Sequence, residues 1–175
     1  MGFAGRTGAG KTCAANHLSS HYGFQYARYS DVLQNWLSPS DGADRDQLRA
    51  LGWEVMASGR QRELNAHLIA ALDRSRSAVI DGIRHPTDLE SLSSAFGSSF
   101  RLIFLEARSE IRFARLRSRF SSKEAFDAAE SAPAEGHIDD LKSSASTTIT
   151  SEGPVTDLYR DLDAWVSARE NGNPI

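Results

Sequence analysis

Short apolar blocks along this chain alternate with longer stretches whose apolar positions recur every three or four residues. Met1, Phe3 and Ala4 open it as a very short apolar stretch, and a glycine-rich segment follows. Ala14, Ala15 and Leu18 then fall at helical spacing over residues 12–21, and Gly23 ends that helix. Residues 24–29 carry aromatics at alternate positions, which predicts a strand. Ser30 and Asp31 read as an N-cap before a helix over 32–37, and 38–42 is a loop by composition. Helices are expected over 45–51, 59–72 and 87–96. Residues 78–80 form a β-branched run ending on Asp81-Gly82, the pattern of a buried parallel strand. Residues 101–105 are the clearest strand, and a basic helix is expected over 109–120. The stretch 121–141 is polar and Ala-rich with a weaker helical pattern. A last strand at 147–150 is broken by Gly153-Pro154 before an amphipathic helix over 155–169, and 171–174 reads as a frayed tail.

Strands alternating with helices imply an α/β fold: three layers, with a parallel sheet of about five strands. The length, 175 residues, suits a single domain spanning 1–175. Within it, 30–75 is the expected acceptor-binding region and about 116–142 a small lid. No apolar run approaches the roughly 18–20 residues of a membrane span. The opening six residues lack the long apolar stretch of a signal peptide. One cysteine, Cys13, excludes an internal disulfide and a cysteine-built zinc site, so a cytoplasmic protein is expected. A net charge of -3 argues against direct nucleic-acid binding.

The most specific signal is Gly5-Arg6-Thr7-Gly8-Ala9-Gly10-Lys11-Thr12, which fits G-x-x-x-x-G-K-[ST] without mismatch. Glycines let successive backbone N–H groups turn inward onto phosphate oxygens, and the helix that starts here adds its positive end. Gly5, Thr7, Gly8, Ala9, Gly10, Lys11, Thr12 and Cys13 are therefore the candidate ATP-binding residues. Lys11 would reach the β- and γ-phosphates, and the Thr12 hydroxyl would ligate Mg²⁺. Asp81 follows an apolar strand and is the second candidate for the metal.

With the phosphate loop, Asp81-Gly82-Ile83-Arg84 and Arg115-Leu116-Arg117-Ser118-Arg119, the chain resembles the nucleoside monophosphate kinase group of P-loop proteins. Within that group it is most similar to phage deoxynucleoside monophosphate kinases and to archaeal proteins like dephospho-CoA kinases. The resemblance spans nearly the whole chain and implies ATP- and Mg²⁺-dependent phosphoryl transfer to a small nucleotide-like acceptor. It implies that Arg84 holds the acceptor phosphate. It also implies that Arg115 and Arg119, one helical turn apart, close on the transferring group. Arg108 and Arg112 extend that row, and residues 150–153 fall where such kinases contact adenine. A monomer or homodimer fits this group.

Two departures stand out. Gln34 occupies a position where adenylate kinases have arginine, leaving Arg45 or Arg49 to supply that contact. No arginine lies between Arg119 and Arg160, so the lid is poor in cations. Asp31 is open to two readings: a helix cap, or a base for a hydroxyl acceptor as in shikimate, gluconate or dephospho-CoA kinases. The second reading makes the protein a hydroxyl kinase, and a slow regulatory NTPase or nucleotide-binding module is a third possibility. His17 with His21, His85, Trp36 and Trp53 are weaker candidates for ligand contact.

Overall fold

The computed structural model describes residues 1–37 and 44–170; the predicted loop at 38–42 and tail at 171–174 lie outside them. The strands are β1 (Gly2–Ala4), β2 (Gln25–Arg28), β3 (Ala78–Asp81), β4 (Leu102–Glu106) and β5 (Thr147–Thr150). The helices are α1 (Lys11–Tyr22), α2 (Tyr29–Leu37), α3 (Arg45–Ala57), α4 (Gln61–Ala70), α5 (Pro86–Phe96), α6 (Ser109–Arg115), α7 (Lys123–Glu130) and α8 (Val155–Glu170). The strands form one sheet in the order β2-β3-β1-β4-β5, and every pairing is parallel.

Both faces are covered because successive strand residues point to opposite sides. Phe3, Val79, Ile103, Leu105 and Ile149 pack with α1 and α8 residues such as Ala15, Leu18 and Leu162. Ala4, Ile80, Leu102 and Phe104 pack on the other face with Leu33, Val55, Leu68 and Leu92. The sheet is thus the middle of three layers, as the sequence pattern predicts. The carboxyl ends of β1 and β3 reach the same level, since Phe3 registers with Asp81. The phosphate loop and Asp81 therefore open on one end of the sheet.

Two expected elements need correction. Helix α2 begins at Tyr29, so Ser30 and Asp31 lie in its first turn and do not cap it. The early start follows from Tyr29, whose ring is buried and whose hydroxyl donates to Asn65 Oδ1. The basic helix predicted over 109–120 stops at Arg115. The chain then turns tightly, with Arg119 N and Phe120 N both donating to the Leu116 carbonyl. This turn brings Phe120 edge-on to Phe126, with ring centroids 5.4 Å apart, while Phe113 packs on the same ring at 5.6 Å. A continuous helix would carry Phe120 past that contact. The stretch 121–141 is packed too, with Phe126, Ala134, Ile138 and Leu141 all buried.

A buried polar hub fixes β3 against α4 and α5. Asp88 Oδ1 accepts from Gln61 Nε2 at 2.5 Å and Asn65 Nδ2 at 2.8 Å. Its Oδ2 accepts from the backbone N–H groups of Arg84 and His85, each at 3.0 Å. His85 closes the same cap by accepting from Thr87 N at 3.1 Å. Asp88→Ala strands two amide side chains and two backbone donors, and each orphaned group costs about 1–3 kcal/mol. Urea unfolding of that variant is expected to show a loss of at least about 3 kcal/mol. A loss within ~0.5 kcal/mol, the level of an ordinary surface change, would show the hub to be dispensable.

Candidate functional site: an arginine-lined cleft at the phosphate loop

The loop between β1 and α1 has the conformation its glycines predict. Gly5 has φ 139°, and a Cβ there would collide with the Leu105 carbonyl oxygen of β4. Gly10 has φ 102° and sits at the start of α1. Both angles are ones that L side chains rarely adopt. Lys11, almost fully buried, folds back and donates to the Gly5 carbonyl at 2.5 Å and the Arg6 carbonyl at 3.1 Å. Burial, aided by the nearby Arg84 charge, pulls its ammonium down from 10.5 to about 8. A cation held this way favours an anion close by.

Thr12 Oγ1 donates to Asp81 Oδ2 at 2.8 Å, so the two predicted metal residues do meet. A third group joins them: Tyr26 OH donates to the same Oδ2 at 3.0 Å, and burial with Asp81 raises its pKa. Tyr26 carries no signal of its own in the sequence; its place in β2 turns it toward the α1 side of the sheet. A hydroxyl and a carboxylate at this spacing form a hard-oxygen donor set that fits Mg²⁺.

From this corner a cleft of about 810 Å³ opens, within the roughly 300–1,000 Å³ of small-molecule sites. Six arginines line it: Arg28, Arg45, Arg49, Arg84, Arg115 and Arg119. Arg115 ties the phosphate loop to the segment after β5, reaching Gly8 O at 3.4 Å, Ser151 Oγ at 3.3 Å and Gly153 O at 3.2 Å. Arg119 makes no ion pair among the described residues and lies 5.2 Å from the Phe120 ring centroid. Burial and the charges of Arg45, Arg49 and Arg84 lower its pKa. The helix break separates Arg115 and Arg119 in backbone, but both still face the cleft. Asp31 lines the cleft as well, more than half exposed, with Arg28 at 3.9 Å.

A model described as AAA domain matches residues 4–132. The chain belongs to this AAA-domain family. The matched span of this AAA-domain protein includes the phosphate loop, Asp81 and all six cleft arginines. No curated protein matches it. Solved structures share its fold. A shikimate kinase from Acinetobacter baumannii in complex with shikimate aligns at TM-score 0.59 and 18% identity, over 96% of this chain and 92% of that one. A gluconokinase from Sinorhizobium meliloti 1021 aligns at TM-score 0.62 and 14% identity, covering 97% and 93%. A shikimate kinase from Bacteroides thetaiotaomicron aligns at TM-score 0.65 and 11% identity, covering 95% and 97%. The AAA-domain protein thus has the P-loop kinase fold.

Other candidates have structural partners. Arg112 is buried, pairs bidentately with Glu130 and donates to Ala107 O and Thr7 O. Arg108 pairs with Glu152. His17 contacts Asp163 at 2.7 Å and stacks on Tyr159, and no metal-binding cluster occurs among the described residues. Trp36 packs beneath Arg60, and Trp53 is exposed. Cys13 is exposed and lines the cleft. No helix among the described residues is long and apolar enough to cross a membrane.

The depressed Lys11 gives a testable pH signature. The unfolded chain holds that proton more tightly than the fold does, so stability is expected to rise as pH climbs from about 8 toward 10.5. Lys11→Met removes this contribution. Chemical unfolding at pH 7.5 and 9.5 should give a variant-minus-wild-type difference that shrinks at the higher pH. A pH-independent difference would mean that Lys11 titrates normally.

Proposed function

We propose that this protein transfers the terminal phosphoryl group of ATP, with Mg²⁺, to a small anionic acceptor, a nucleoside or deoxynucleoside monophosphate in the first instance. The observation that supports this most is the lining of the cleft. The phosphate loop with Lys11 and the Thr12–Asp81 pair share one cavity with a cluster of arginines. A phosphomonoester dianion suits such a cluster better than a neutral acceptor does.

In this reading the loop amides and Lys11 hold the donor phosphates, and Lys11 exchanges its two carbonyl contacts for them. Thr12 and Asp81 hold the metal, which when bound supplies charge neutralisation on the phosphates. Arg84, Arg119 and the Arg45–Arg49 side bind the acceptor anion. Arg115 ties the phosphate loop to the β5–α8 turn and faces the transferring group. Phosphoryl transfer needs little more from the protein than this positioning and charge neutralisation. The chain 1–175 acts as one domain, with 30–75 as the acceptor region and about 116–142 as the closing segment that excludes water.

Asp31 supports a second reading. It stands at the cleft with a free edge, as a base for a hydroxyl acceptor would. Solved structures that share the fold include a shikimate kinase and a gluconokinase.

The test is ADP release from ATP and Mg²⁺ across nucleoside and deoxynucleoside monophosphates, nucleosides, dephospho-CoA, shikimate and gluconate. One monophosphate is expected to raise turnover well above a Lys11→Ala blank, and that variant to lose at least ~100-fold. A flat panel would refute the proposal. Asp31→Asn separates the readings: a hydroxyl kinase loses about 100-fold or more, and a monophosphate kinase less than about tenfold.

A further inference from the structure

Two residues that line the cleft each hold a buried acceptor atom with no hydrogen-bond partner among the described residues, and neither residue is marked by the sequence. Glu135 is 4% exposed, and its Oε1 pairs with Arg84 while its Oε2 has no partner. Gln61 is 5% exposed, and its Nε2 donates to Asp88 while its Oε1 has no partner. Both residues line the same cleft as the arginines. The Gln61 amide is not free to reverse. Asp88 already accepts from Asn65 and two backbone N–H groups, so the Gln61 side facing it must be the amide nitrogen. Glu135 sits in a short turn over residues 133–135, whose Glu135 N is held by Ala132 O at 2.8 Å.

A buried acceptor without a donor is costly, and native proteins rarely leave two in one cavity. Arginines cannot serve a ligand's donors, since a guanidinium has no acceptor atom. The cleft therefore offers two kinds of recognition: guanidinium donors for an anion, and orphaned oxygens for donor groups beside it.

We propose that Glu135 Oε2 and Gln61 Oε1 determine acceptor specificity by accepting hydrogen bonds from hydroxyl or amino groups that the acceptor carries next to its anionic group. This rests on the reading of the arginine end as the acceptor site. It narrows the acceptor to a donor-bearing anion, such as a nucleoside monophosphate or a polyhydroxy acid, and excludes a bare phosphate or carboxylate. A site built to hydrogen-bond a group discriminates strongly against the analogue that lacks it.

The experiment is calorimetric titration of the full chain with ADP and Mg²⁺ present. The probes are the four deoxynucleoside 5′-monophosphates and methyl phosphate, which has the anion without the donors, together with shikimate, gluconate and acetate. The best monophosphate should bind at least about tenfold tighter than methyl phosphate, and Glu135→Gln should shrink that ratio by about tenfold or more. In that variant the amide oxygen stays on Arg84, and an N–H₂ donor replaces Oε2. Gln61→Met should shrink the ratio as well, and it decides the matter if Glu135→Gln does not fold. A wild-type ratio near one, or a ratio that neither variant changes, overturns the inference and leaves phosphoryl transfer to a monophosphate standing. Binding of shikimate or gluconate alone, tighter than acetate and sensitive to Glu135→Gln, supports the inference and removes the monophosphate reading. Failure of every probe to bind overturns both.

Discussion

The active end of this molecule depends on one close approach: the Gly5 backbone against the Leu105 carbonyl of β4. A side chain at Gly5 has no room there, and its φ of 139° is outside the range such residues favour. That contact turns the chain sharply off β1, and Lys11 folds back over the Gly5 and Arg6 carbonyls. The neighbouring strand β3 ends at the same level and delivers Asp81 to Thr12. The donor corner is therefore a consequence of sheet register and one glycine, with little contribution from loop side chains.

Positive charge in and around the cleft is balanced by one stretch of chain. Residues 121–141 lack arginine, and their acids reach cations in the cleft and beside it. Asp139 pairs with Arg6 of the phosphate loop at 2.5 Å, Glu135 with Arg84, and Glu130 with Arg112. The hydrogen bonds that Arg6 donates to Asp139 raise the Arg6 pKa. Without ligand, these carboxylates offset a concentration of positive charge that would otherwise repel itself. Of these three cations only Arg84 lines the cleft, so it is there that an anionic ligand would meet a carboxylate of this stretch, Glu135.

Much of this was legible in the sequence, for identifiable reasons. The phosphate loop is a backbone device, and its glycine spacing is written directly in residues 5–12. Asp81 could be found because a buried strand runs straight into it. Strand β5 was legible to the residue because β-branched residues fill it. The failures share a cause: side-chain partners that lie outside the element being read. The break after Arg115 comes from Phe120 meeting Phe126, and the early start of α2 from Tyr29 reaching Asn65. Arg112 reads like a site arginine until Glu130 is placed against it. Glu135 and Gln61 gave no local signal, since their meaning lies in one atom that is paired and one that is not.

The central claim is that one cleft holds a phosphate donor at one end and an anionic acceptor at the other. The most direct test compares the affinity of ATP with that of a ligand in which ATP is joined through its phosphates to a second nucleoside. The account predicts that the bridged ligand binds at least about tenfold tighter. It also predicts that Arg84→Ala combined with Arg119→Ala removes the gain and leaves ATP affinity largely intact. Equal affinity for the two ligands, or a gain indifferent to both arginines, would contradict it.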